Sequence, residues 1–240
     1  MSSIRVIAHR GASGDCPENT LPAFERAIEQ SADMIETDLH LSRDGVVVIH
    51  HDADLERLGR AGEIRDLTAE ELFGLDAAPT ADVEAKMPTL LELLDGFGER
   101  MEFNLELKVG SHAPYEGMEA IVVEAVKERG LLPRMLFSSF DDGVLERVRA
   151  LSAEARIAVL ASPRAPLGLL KRAHRVRAEA VNPHISMVTK RMVRSAHAAS
   201  LRVFPYTANE EKEMRRLIQC GVDGIITNYP EHLRTILASS

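Results

Sequence analysis

Short runs of β-branched and other apolar residues alternate with segments whose apolar positions recur every three to four residues. That alternation runs the length of the chain. The apolar runs predict strands at Arg5–His9, Met34–Leu39, Phe103–Lys108, Met135–Ser139, Ile157–Ala161, Ala180–Pro183, Val203–Thr207 and Gly224–Thr227. The helical pattern predicts helices from Thr20 to about Ser31, from Pro88-Thr89 through Leu94, and over Tyr115–Arg129, Asp142–Leu151, Leu167–Val176, Lys190–Ala199, Glu210–Cys220 and Glu231–Leu237. Thr20 is placed to cap the first of these, with Pro22 in its first turn, where a missing amide hydrogen costs little. Strand and helix in strict alternation imply parallel strands joined by helical crossovers. About eight such units in a chain of 240 residues is the size of a closed (β/α)₈ TIM-type barrel, an α/β fold. An open doubly wound sheet is the alternative, but no Gly-x-Gly-x-x-Gly follows the first strand.

Two segments break the alternation. Ser42-Arg43-Asp44-Gly45 is a turn signal followed by the β-branched run Val46–His50, which predicts a hairpin folding back on the second strand. Asp52–Met87 is charged and irregular, its one helical hint being the capping box that starts at Thr68. It reads as a small insertion after the second strand, too poor in apolar residues to hold a core of its own, within one domain spanning residues 1–240.

Composition narrows the possible partners. Hydrophobic residues make up 45% and charged residues 28%, which supports a large core and argues against disorder. With a net charge of -8 the chain has no general attraction for nucleic acid or anionic membranes, so any phosphate contact must be local. No run approaches the roughly 20 apolar residues of a membrane span, so membrane insertion is not expected. Arg5, His9 and Arg10 interrupt the N-terminus too early for a signal peptide. Cys16 and Cys220 match no zinc motif and read as reduced thiols, which places the chain in the cytoplasm.

The chemistry gathers at strand ends. Side chains two apart on a strand share a face, so Glu36 and Asp38 point together, as do Glu106 and Lys108. His9 and Arg10 end the first strand. In a parallel barrel all of these reach the C-terminal rim, where such folds carry their sites. A two-residue hairpin loop near Asp44 sets His51 opposite Glu36 or Asp38, and a three-residue loop shifts the pairing by one. Oxygen donors from Glu36, Asp38 and Glu106, with no cysteine nearby, favour Mg²⁺ or Ca²⁺ over zinc. Salt bridges to Arg10 and Lys108 are the alternative, weakened by two like charges on one face. His9 and His51 are the candidate acid and base, and Arg10 and Lys108 suit phosphate oxygens. His40, His112, His174 and His232 read as surface or core, and His184 and His197 stay open.

These residues stand in a pattern that resembles the glycerophosphodiester phosphodiesterase family, within the wider group that includes phosphatidylinositol-specific phospholipase C. The resemblance rests on His9-Arg10-Gly11, Pro17-Glu18-Asn19-Thr20, Glu36-Thr37-Asp38, Asp44-Gly45 before His51-Asp52, and Glu106-Leu107-Lys108. Further along it takes in Ser139-Phe140, Asn182-Pro183, Tyr206-Thr207-Ala208-Asn209 and the segment Gly221–Pro230. It implies a distorted barrel, one divalent cation on Glu36, Asp38 and Glu106, His9 and His51 as the acid–base pair, and Arg10 and Lys108 on phosphate. It also implies that Tyr206 flanks the substrate's alcohol group where tryptophan is common, that Glu18 orients Arg10, and that Asn19 supports the site or, with Thr20, caps the helix. Arg57-Leu58-Gly59-Arg60 stands where a threonine pair is common. The implied reaction is metal-dependent hydrolysis of a glycerophosphodiester to glycerol 3-phosphate and an alcohol. The alternatives are a lysophospholipase D, a lyase that stops at the cyclic phosphate, and a non-catalytic phosphodiester-binding barrel.

Overall fold

A computed structural model describes residues 4–79, 85–164 and 168–239. In chain order the elements are β1 (Arg5–His9), α1 (Leu21–Glu29), β2 (Met34–Leu41), β3 (Val47–Ile49), α2 (Ala69–Phe73), α3 (Leu90–Phe97), β4 (Phe103–Leu107), α4 (Met118–Glu128), β5 (Met135–Ser139), α5 (Asp142–Leu151), β6 (Arg156–Ala161), α6 (Leu169–Arg175), β7 (Ala180–Pro183), α7 (Lys190–Ala198), β8 (Arg202–Val203), α8 (Glu211–Cys220), β9 (Gly224–Thr227) and α9 (Pro230–Ala238). The helices begin where the sequence offers oxygen caps: Thr20, Thr89, Asp141 and Thr189 each accept an amide hydrogen from the first turn that follows. Leu167, the expected start of α6, lies outside the described residues, as do residues 80–84 of the expected insertion.

Eight strands run parallel in the order β8-β7-β6-β5-β4-β2-β1-β9, with β3 antiparallel on β2. Backbone bonds from Asp223 N to Val203 O, Ile226 N to Pro205 O and Ala208 N to Ile226 O join the two end strands, so the barrel is nearly closed. Its interior holds Ile7, Met34, Leu136, Ala158, Ala180, Phe204 and Ile226 from seven positions around the ring. A larger apolar layer packs between the strands and the surrounding helices. β8 is shorter than expected: the ladder stops at Val203, and Pro205, which has no amide hydrogen, interrupts what the apolar pattern suggested was one strand.

Two local expectations change. The hairpin closes with the three-residue loop Arg43–Gly45, Ser42 N donating to Val46 O and Gly45 at φ +83°, so Leu39 pairs with Ile49 and His50, not His51, lies level with Asp38. The insertion does bury a core: Leu55, Ile64, Leu67, Leu72 and Met87 close over Val48 of β3. Those residues are too widely spaced to show a period, and they complete the cluster by borrowing a face of the hairpin. No helix among the described residues is long and apolar enough to cross a membrane.

Candidate active site

The loop after β1 brings the first groups to the rim. Gly11 sits at φ +82°, and a Cβ there would meet the backbone carbon of Ala23 at 2.6 Å, so only glycine lets α1 pack this close behind His9 and Arg10. Arg10 and Asn19 both take left-handed backbone, tied by Asn19 N donating to Arg10 O at 3.0 Å, while Arg10 N donates to Glu36 O at 2.8 Å. The β1–β2 register sets His9 beside Glu36, and the β2–β4 register sets Asp38 beside Glu106. Neighbouring parallel strands therefore deliver the whole set to one end of the barrel.

Ligand oxygens of Glu36, Asp38 and Glu106 lie within 4.8 Å of one another, and all three side chains are buried. Lys108 Nζ bridges Asp38 Oδ1 at 2.9 Å and Glu106 Oε1 at 2.7 Å. Arg10 Nε lies 3.3 Å from Asp38 Oδ2, and Arg10 Nη1 donates to Glu18 at 2.7 Å. Burial works against the Asp38 carboxylate, yet Lys108 and Arg10 hold it well below the usual range. Glu36 has the opposite fate: burial, with Asp38 and Glu106 close by, pushes it well above the ordinary value. Glu106 is also raised, by burial foremost. Ionised, the three carboxylates leave one negative charge in excess over Arg10 and Lys108. An all-oxygen donor set with uncompensated charge fits a hard divalent cation.

Each histidine is anchored by Nδ1. His9 Nδ1 lies 2.7 Å from Asn228 Oδ1, and His51 Nδ1 lies 2.7 Å from Asp52 Oδ1. In both cases the acceptor puts the hydrogen on Nδ1 and leaves Nε2 for the pocket. Burial, helped by Arg10, lowers His9 to about 4, and burial also lowers His51. His51 reaches the pocket despite the shifted register because β3 ends at Ile49; its carbonyl is then within 3.2 Å of His40 Nε2. His40 is a core histidine, its Nδ1 2.7 Å from the Tyr115 hydroxyl.

His9, Arg10, Glu36, His51, Glu106, Lys108 and Tyr206 all line one cavity of about 280 Å³. Asp38 lies just beneath, bonded to Lys108. Tyr206 packs edge-on against Phe140 and His184, and its hydroxyl donates to Ala161 O at 3.1 Å. Asn19 does not cap α1. Thr20 does so alone, while Asn19 Nδ2 donates to Asp38 at 2.8 Å and its Oδ1 accepts from Thr37 at 2.8 Å, because left-handed backbone turns the side chain inward. Asn228 and Asp52 are site residues beyond those the sequence singles out, although both stand in motifs that carry the resemblance; a histidine followed by an acid is the available signal for Asp52. Of the two histidines left open, His184 lines the cavity and His197 bonds to Asp223 away from it.

The model of the glycerophosphoryl diester phosphodiesterase family matches residues 9–232. The chain is 35% identical, over 95% of both sequences, to a glycerophosphodiester phosphodiesterase from Caldanaerobacter subterraneus. A Bacillus altitudinis protein of that name is 36% identical, again over 95% of both. An Oleispira antarctica phosphodiesterase, solved in complex with the product sn-glycerol-3-phosphate, superposes with a TM-score of 0.83 at 32% identity, covering 98% of this chain and 97% of that one. The chain belongs to the glycerophosphoryl diester phosphodiesterase family.

Proposed function

We propose that the chain hydrolyses glycerophosphodiesters to glycerol 3-phosphate and an alcohol, with His9 and His51 as the acid–base pair and one Mg²⁺ or Ca²⁺ held by Glu36, Asp38 and Glu106. The observation that carries this reading is the convergence, in one cavity, of an acidic oxygen cluster, two cations and two imidazoles anchored through Nδ1. Held by Glu36, Asp38 and Glu106, the cation would supply Lewis acidity and positive charge to offset the charge of the phosphodiester. Arg10 and Lys108, both fixed by carboxylates, place fixed positive charge beside the phosphoryl group as its own charge grows. One imidazole takes the proton of the attacking oxygen at Nε2, and the other returns a proton to the departing alkoxide. Asn228 and Asp52 keep the two rings in the tautomer and orientation this requires. The ring of Tyr206 walls the cavity, and the family resemblance assigns it to the side of the substrate's alcohol group.

Support comes from the family, from relatives of that name at 35% and 36% identity, and from a neighbour that holds the product. Phosphorus NMR tests the reading. Glycerophosphocholine, glycerophosphoethanolamine, glycerophosphoinositol and bis-glycerophosphate, each incubated with the protein and Mg²⁺ or Ca²⁺, should yield the monoester resonance of glycerol 3-phosphate. A cyclic diester as the end product would assign the lyase, turnover of lysolipids alone would assign the phospholipase D, and no conversion in any case would leave a binding barrel.

A further inference from the structure

Beyond Asp52, which bonds His51 directly, the insertion meets the groups around the reaction machinery at Arg57. Arg57 sits on the 3₁₀ turn Glu56–Leu58, directly after Leu55, which is fully buried in the apolar cluster that the insertion shares with β3. Leu55 N donates to Gly62 O at 3.1 Å and Arg60 N to Leu55 O at 3.1 Å, so the turn is braced on both sides. From this mount Arg57 Nη1 reaches Asp52 Oδ2 at 3.0 Å and Glu18 Oε1 at 3.2 Å. Each carboxylate spends its other oxygen on a proposed functional group. Asp52 Oδ1 lies 2.7 Å from His51 Nδ1, and Glu18 Oε2 accepts from Arg10 Nη1 at 2.7 Å.

Resting on the function proposed above, we infer that Arg57 is a positioning residue that aligns His51 and Arg10 together, through Asp52 and Glu18. A carboxylate bound at one oxygen only can rotate about its last carbon–carbon bond; one bound at both cannot. Asp52 without Arg57 would let the His51 ring swing, and Glu18 without Arg57 would let the guanidinium of Arg10 drift toward Asp38. The link also ties the insertion to the loop after β1, since Glu18 lies on that loop and Arg57 on the insertion. It sits between two cavities: His50, Glu18 and Arg57 line one of about 590 Å³, while His51 and Arg10 line the smaller one of about 280 Å³. Arg57 is itself largely exposed, so its value lies in geometry rather than in stability.

The test is a set of variants, Arg57→Ala, Arg57→Lys, Asp52→Asn and the Arg57→Ala/Asp52→Asn double, assayed on a glycerophosphodiester with added divalent cation. Arg57→Ala should lower kcat about five- to tenfold and raise KM about two- to threefold. Guanidinium chloride in the assay should restore part of the loss, and Arg57→Lys should keep more activity than Arg57→Ala. In the Asp52→Asn background the Arg57→Ala change should cost less in kcat than it does alone, because the two act along one path. Activity of Arg57→Ala within twofold of wild type would overturn the inference, and so would losses that are fully additive with those of Asp52→Asn. A readout without turnover runs in parallel: ¹⁵N NMR of the His51 ring. Arg57→Ala should alter the Nδ1 and Nε2 shifts, and unchanged shifts would overturn the inference as well. Wild-type protein that converts no diester would instead count against the proposed function, while the ring shifts would still decide the role of Arg57.

Discussion

The two ends of the barrel carry the same kinds of charged residue and use them differently. At the N-terminal end Arg5, Glu102, Arg156, Glu179 and Arg202 form a row of alternating sign, with Arg5–Glu102 at 3.1 Å, Arg156–Glu102 at 3.0 Å and Arg156–Glu179 at 3.0 Å. Arg202 closes the row on Glu179. All five stand where strands start, partly in solvent, and every charge has a neighbour of opposite sign. At the C-terminal rim Glu36, Asp38 and Glu106 are buried together, and Arg10 and Lys108 do not cancel them. Alternation of sign gives a structural seam; concentration of one sign in a buried place calls for a ligand. The difference arises from spacing. The rim carboxylates come from i and i+2 positions of β2 and from the neighbouring β4, which puts like charges side by side.

Substitutions can break this contrast, and the largest effects belong to the rim. His9→Ala and His51→Ala should each lower kcat by about 10²–10⁴-fold while the melting temperature shifts by only a few degrees, as calorimetry and turnover assays would show together. Near-native turnover of either variant would remove that ring from the acid–base pair. Lys108→Met should lower kcat/KM by about 10²-fold, since it removes charge fixed beside the phosphoryl group.

Acid should separate the ends next. Burial holds the His40 ring down to about 3, against an ordinary 6.5. As pH falls, the unfolded chain protonates this histidine first, so its contribution to stability is whole above about pH 6.5 and is lost on the way down to about pH 3. Urea unfolding at pH 6.5 and pH 5 should show a loss of stability on acidification, and His40→Gln should remove roughly 2 kcal/mol of that loss. The smallest effect should be at the base. Glu102→Gln weakens the pairing of two partly exposed arginines, Arg5 and Arg156, and should cost about 1 kcal/mol or less, with kcat within twofold of wild type. A large loss of turnover there would end the distinction between the two ends.

Much of this was legible in the residues, because strand alternation and rim placement follow from local pattern. The parity of Glu36 with Asp38, and of Glu106 with Lys108, needs only the twofold repeat of a strand. The register of His51 was not legible in the same way. It depends on whether the turn at Asp44 closes over two residues or three, which Gly45 decides through its positive φ. The resemblance leaves Asn19 between capping and supporting the site; only the left-handed backbone at that position shows the side chain turning to Asp38. The insertion hid its core, since Leu55, Ile64 and Leu72 lack any period and pack on Val48 from outside the segment. For the same reason the approach of Arg57 to Asp52 and Glu18 was beyond a reading of the chain as local pieces.

Turnover of glycerophosphocholine by protein stripped with chelator, measured before and after addition of Mg²⁺ or Ca²⁺, tests most directly whether the buried acidic cluster works with a cation. Activity should vanish on stripping and return with the added ion in wild type, but not in Glu36→Gln or Asp38→Asn. Full activity in the stripped enzyme, or equal recovery by both variants, would contradict the account.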